Sequence, residues 1–158
     1  MPELTEAQWK KAADRLELSG LYFLYGEEKY LIAAYLKRLL KKASEQPFAD
    51  FNVQRFSGDG LSADKVADAA EALPMMAEKK YIVLTDLDVE KLPARELSKL
   101  YELVENLPES TVLLVFQPTL EMDVKKSTAW KKWLAAVKKH GTVVEVRPRE
   151  GAELERLL

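Results

Sequence analysis

Apolar residues in this chain gather in short unbroken runs, and helically spaced stripes lie between the runs. Leu21 to Tyr25 is the first run and breaks at Gly26, after which Ile32, Tyr35, Leu36, Leu39 and Leu40 follow i, i+3, i+4, i+7, i+8 spacing. Such a run suits a parallel strand buried on both faces, and such a stripe predicts an amphipathic helix. Opposite the stripe stand Lys37, Arg38, Lys41 and Lys42. Glu27 and Glu28 are expected in the first helical turn and the cations in the last, so that both ends complement the helix dipole.

The alternation continues along the chain. Thr5 to Leu16 reads as a lead-in helix, with Thr5 as candidate N-cap, Trp9, Ala12, Ala13 and Leu16 on one face, and Ser19-Gly20 as its end. Phe51 to Phe56 mixes polar and apolar positions, which predicts an edge strand. Ser62 then caps a helix that turns Val66, Ala69, Ala70 and Leu73 inward until Pro74 interrupts it. Tyr81 to Asp86 has the profile of a central strand. A helix from near Pro93 presents Leu97, Leu100, Tyr101 and Val104 before Asn106-Leu107-Pro108 stops it. Thr111 to Phe116 is another strand. Trp130, Trp133, Leu134 and Val137 form a helix face ending at His140-Gly141, and Val143, Val144 and Val146 make the last strand. Five strands alternating with helices imply an α/β fold, a five-stranded parallel sheet with helices on both faces and the three most apolar strands central.

Composition narrows the function classes. The 158 residues make one domain by size, 47% hydrophobic and 32% charged, and a net charge of -2 provides no general attraction to nucleic acid. The chain has no cysteine, which removes a thiolate nucleophile, a disulfide framework and a cysteine-based zinc site, and agrees with a cytoplasmic protein. The acidic start Met1-Pro2-Glu3-Leu4-Thr5-Glu6 predicts no signal peptide, and no apolar run nears the roughly 20 residues that span a bilayer.

The turn at Gly26 is where nucleotide-binding folds hold phosphate. A phosphate cradle needs several glycines, then Lys and a hydroxyl residue for the terminal phosphates and magnesium. Here there is one glycine, then two carboxylates, and Lys29 is followed by Tyr30, so an atypical nucleotide-binding, NTPase-like domain is the lesser alternative. Asp86 and Asp88 follow a central strand but lack a phosphate-binding partner, which favours ordinary loop acids. Lys125, Lys126, Lys131, Lys132, Lys138 and Lys139 surround a helix whose tryptophans share the core stripe; this reads as a solvated face, with weak DNA contact the minority reading. His140, the single histidine, follows a helix and reads as a last-turn charge. No nucleophile, base and orienter set emerges, and no cofactor or metal site is expected.

Leu73-Pro74-Met75-Met76-Ala77-Glu78-Lys79-Lys80 is the stretch that the alternation leaves unexplained. Met75 and Met76 lie off the preceding stripe. They either fill an irregular gap in the core, which physical chemistry alone favours, or form an exposed apolar tip for a partner.

Three stretches carry a resemblance: Tyr22-Phe23-Leu24-Tyr25-Gly26-Glu27-Glu28-Lys29-Tyr30-Leu31-Ile32, Phe48-Ala49-Asp50-Phe51-Asn52-Val53, and Leu73 through Leu84. With Lys138-Lys139-His140-Gly141-Thr142-Val143-Val144-Glu145, and in this order, the chain resembles nearly end to end the N-terminal domain of the delta subunit of the bacterial DNA polymerase III clamp loader. The resemblance implies an AAA+-like fold without a working nucleotide site, and a non-catalytic subunit acting in DNA replication. It implies that two adjacent hydrophobic residues, by position Met75 and Met76, enter a pocket on the ring-shaped sliding clamp (the beta subunit) and hold the ring open. Methionine replaces the bulkier leucine and aromatic pair of some members. The resemblance further implies that residues 1–150 form this domain and that residues 151–158, including Glu153-Leu154-Glu155-Arg156-Leu157-Leu158, start a truncated helical domain. The family's later domains join it to the motor subunits and delta prime.

Overall fold

The first strand, β1 (Gly20–Gly26), lies inside the sheet and sends alternate side chains into two separate cores. The computed structural model describes residues 5–148, so residues 151–158 and the expected start of a further domain lie outside the described residues. With β2 (Val53–Ser57), β3 (Lys80–Thr85), β4 (Thr111–Phe116) and β5 (Thr142–Val146), β1 forms one sheet in the order β2-β3-β4-β1-β5. Every pairing is parallel. The three apolar runs are central and the mixed strands are at the edges, as the composition of each run predicts.

Helices cover both faces. Leu21 and Phe23 point toward α4 (Ala63–Glu71), α5 (Ala94–Glu105) and α6 (Thr128–His140). Tyr22 and Leu24 point toward α1 (Glu6–Asp14) and α2 (Lys29–Ser44). On the first face Phe23 stacks near Trp130 and meets Trp133 edge-on at 5.9 Å; on the second, Trp9 meets Phe116 edge-on at 5.8 Å. Both tryptophans of α6 are therefore core residues, and the lysines around them are exposed. α1 and α2 are further joined by Tyr35, whose hydroxyl donates to the Glu6 carboxylate, and by Arg38, which grips Asp14 with two bonds of 2.5 and 2.8 Å. No helix among the described residues is long and apolar enough to cross a membrane.

Several element ends differ from expectation, each for a local reason. The Thr5 cap is present as a reciprocal box with Gln8, but α1 stops at Asp14. Leu16 takes a left-handed φ of 53°, and the amides of Leu16 and Glu17 close back on the carbonyls of Ala13 and Ala12. Glu27 and Glu28 precede α2 instead of filling its first turn, because Gly26 still pairs with Val146 and the Glu28 amide also donates to Val146 O. α4 stops at Glu71 because Leu73 precedes Pro74, where helical backbone is disfavoured; Leu73, placed on the buried stripe by periodicity, is 85% exposed. Pro93 sits one residue before α5, at its N-cap. Phe51 and Asn52 belong to a single-turn helix, α3 (Ala49–Asn52), not to the strand that follows.

Lys80 opens β3 with 2% of its surface exposed, and burial pushes its ammonium pKa below the ordinary 10.5. The unfolded chain then binds more protons between the lowered value and 10.5, so stability rises with pH across that window and charged Lys80 costs stability below it. Lys80→Met keeps the enclosed stem without the charge. It is expected to raise the melting temperature at pH 7, with the gain over the parent shrinking as pH approaches the ordinary lysine value; thermal melts from pH 7 to 10 check this.

Candidate functional site

The loop between α4 and β3 stands at the amino edge of the parallel sheet and carries three exposed apolar side chains. Leu73 is 85% exposed, Met75 43% and Met76 79%. The two methionines do not fill a core gap; they lie at the surface with Leu73 beside them in sequence. Phe48, at the N-cap of α3, and Phe51, within it, are exposed as well.

The backbone beneath the tip is held at two points. Asn52, almost wholly buried, accepts a hydrogen bond from the Met75 amide at 2.6 Å and donates from its own amide group to the Met75 carbonyl at 2.8 Å. Met76 follows in a left-handed conformation, φ 50°. At the far end the Lys80 amide donates to the Ser110 carbonyl at 2.8 Å, and the Lys79 ammonium reaches the Glu109 carbonyl at the same distance. Asn52 and Met76 also line a cleft of about 410 Å³ with Pro47, Ala77 and Tyr81. Asn52 was not singled out from the sequence, because its partner lies 23 residues away.

The Gly26 turn lies at the opposite, carboxyl edge, roughly 17–20 Å away for strands of this length. Only Glu27 and Glu28 separate β1 from α2. The Glu28 amide donates to Val146 O and the Lys29 amide to Glu27 O, so these N–H groups are already engaged rather than turned toward a phosphate. Gly26 itself has φ 145°, and a Cβ there would stand 2.1 Å from Val146 O; glycine serves the close approach of β5. The residues of this turn do not fit a nucleotide. A titration with millimolar ATP and magnesium is expected to give no saturable binding; a saturable, magnesium-dependent isotherm would restore the nucleotide reading.

The neighbouring acids have structural partners. Asp86, at φ 54°, accepts from the Thr119 and Leu120 amides at 3.0 and 3.1 Å and from the Thr119 hydroxyl at 2.7 Å. Asp88 accepts from the Glu90 amide at 3.0 Å. Gln117, fully buried just beyond β4, brackets Leu87 by accepting from its amide and donating to its carbonyl at 2.8 and 2.7 Å. Together these bonds brace the loops at that edge. Among the described residues no three His, Cys, Asp or Glu side chains form a metal-holding group. His140 is exposed in the last turn of α6, and Lys132 lies over the Tyr101 ring at 5.0 Å.

Comparison with known proteins agrees with this fold and these segments. The DNA polymerase III subunit delta of Bacillus subtilis (strain 168) is 26% identical over 149 residues, covering 90% of this chain and 42% of that protein. A solved Bacillus subtilis DNA clamp loader delta protein superposes with a TM-score of 0.70 at 23% identity, over 93% of this chain and 44% of that one. A DNA polymerase III gamma subunit-related protein of Thermotoga maritima superposes with a TM-score of 0.57 at 17% identity, over 96% of this chain and 48% of that one. The chain thus spans less than half the length of these relatives. The family model described as DNA polymerase III, delta subunit matches residues 22–147, from the first strand to the end of the last, and so takes in the Gly26 turn, Asn52 and the methionine tip alike. With most of its length inside that match, the chain belongs to the DNA polymerase III delta subunit family.

Proposed function

We propose that this domain is the sliding-clamp-binding and clamp-opening module of a DNA polymerase III clamp loader, with Met75 and Met76 as the side chains that enter the clamp. The observation that carries the reading is an apolar pair, 43% and 79% exposed, on a backbone held at Met75 by Asn52 and at Lys80 by the Ser110 carbonyl. Exposed apolar groups of this kind mark contact sites, and a fixed backbone lowers the ordering cost of binding. The domain acts mechanically and carries out no catalysis. To open the ring it must bind the open form more tightly than the closed one, since equal affinity would shift no equilibrium. In a full-length protein, further domains join it to the motor subunits and delta prime in the cytoplasm, and its own contact with DNA is weak at most.

The test is a titration of the 158-residue chain against the purified sliding clamp of the same organism. Saturable binding supports the proposal. A flat titration with correctly folded protein removes it.

A further inference from the structure

We infer that Asn52 is a positioning residue, holding the Met75–Met76 tip in the shape that engages the clamp; this rests on the proposed clamp-binding role. The side chain of Asn52 touches no partner surface itself. It is 3% exposed, and both halves of its amide bind the backbone of one residue, Met75, at 2.6 and 2.8 Å. Two opposed bonds to the same residue fix its orientation as well as its place, which a single bond would not do. The next residue, Met76, is thereby set into a left-handed backbone that an L side chain adopts reluctantly. Without the bracket that conformation would have little to maintain it, and residues 72–79 would sample others.

The position of Asn52 in the chain supports the same role. The single turn of α3 interrupts the approach to β2 and brings the carboxamide against Met75. Gln117 brackets Leu87 in the same manner at the other edge, but there the bracketed residue is itself buried, so the bracket serves the interior. At Asn52 the bracketed residue leads directly into the most exposed methionine of the tip. The bracket therefore raises the fraction of molecules whose tip is ready to dock, and apparent affinity scales with that fraction.

The experiment measures clamp association and dissociation rates for the parent chain, Asn52→Ala, Asn52→Asp and the Met75→Ser, Met76→Ser double variant, with amide exchange at residues 75 and 76 of each free protein. Asn52→Ala is expected to bind about tenfold more weakly, mostly through slower association, with faster exchange at the tip and unchanged exchange in β1 and β4. Asn52→Asp is the nearly isosteric variant: it keeps an acceptor for the Met75 amide but faces the Met75 carbonyl with a second oxygen. It is expected to weaken binding similarly, and it decides the matter if the alanine variant does not fold. Parent-like binding by folded Asn52 variants, while the double methionine variant fails to bind, overturns this inference and leaves the clamp-binding role standing. Failure of the parent to bind overturns both. Faster exchange throughout the core, in step with the tip, would mean that Asn52 supports the whole fold and would overturn the positioning role.

Discussion

The Met75→Ser, Met76→Ser double variant is expected to lose measurable binding to the sliding clamp while unfolding at nearly the parent temperature. Burying a methionine side chain contributes about 1.5–3 kcal/mol of gross hydrophobic free energy, so a pair corresponds to roughly 10²–10⁴ in affinity before ordering costs are considered. Met75 is already more than half covered, which places its share toward the lower end. In the free domain Met76 faces solvent and Met75 does so in part, and substitutions at exposed positions change stability by no more than about 0.5 kcal/mol. The bonds that Asn52 makes go to the Met75 backbone, so serine leaves them in place. Calorimetry of binding and of unfolding on one preparation separates the outcomes. A stability loss of about 2 kcal/mol or more would make the methionines structural, and undiminished clamp binding would move the contact elsewhere.

Gly26→Ala is expected to destabilise the domain strongly, because it meets both a disfavoured φ and a main-chain clash. At φ 145° the backbone is in a region reserved for glycine, and the new Cβ would point into the Val146 carbonyl from 2.1 Å. Backbone strain and overpacking each cost about 1–3 kcal/mol, and the obstacle is main chain, so it cannot rotate aside. Against a total of about 5–15 kcal/mol, the sum brings a domain of this size close to its unfolding threshold. The expected result is a lower urea midpoint and early exposure of β5. A variant as stable as the parent would show that the β1–α2 turn and β5 can part without penalty.

What could be read from the sequence follows the range of the forces involved. β4 is a threonine followed by five consecutive apolar residues, and all six are buried; Trp130, Trp133 and Val137 repeat at helical spacing and all three are in the core. Burial on a regular element leaves a periodic trace in the residues themselves. Leu73 kept its place in the period after the helix had ended, so counting carried it inward while Pro74 had already turned the chain outward. Asn52 and Gln117 each bracket one residue, 23 and 30 positions away, and nothing in their neighbours' composition encodes such a partner. The methionines were legible as an interruption of the pattern. Their proposed role toward a clamp rests on family resemblance, since the gap-filling habit of methionine alone favoured the interior.

The parallel sheet has a practical corollary in the opposite placement of its two edges. The chain contains no cysteine, and Tyr30 is 74% exposed near the carboxyl edge, at the start of α2. A lone thiol introduced there would give a unique chemical handle, facing away from the methionines by the length of the strands. Coupled to a bead or a sensor chip through that handle, every molecule would hang in one orientation with its tip toward solution. The domain could then serve as a force probe, so that the pull needed to part a ring from its tip is measured one molecule at a time.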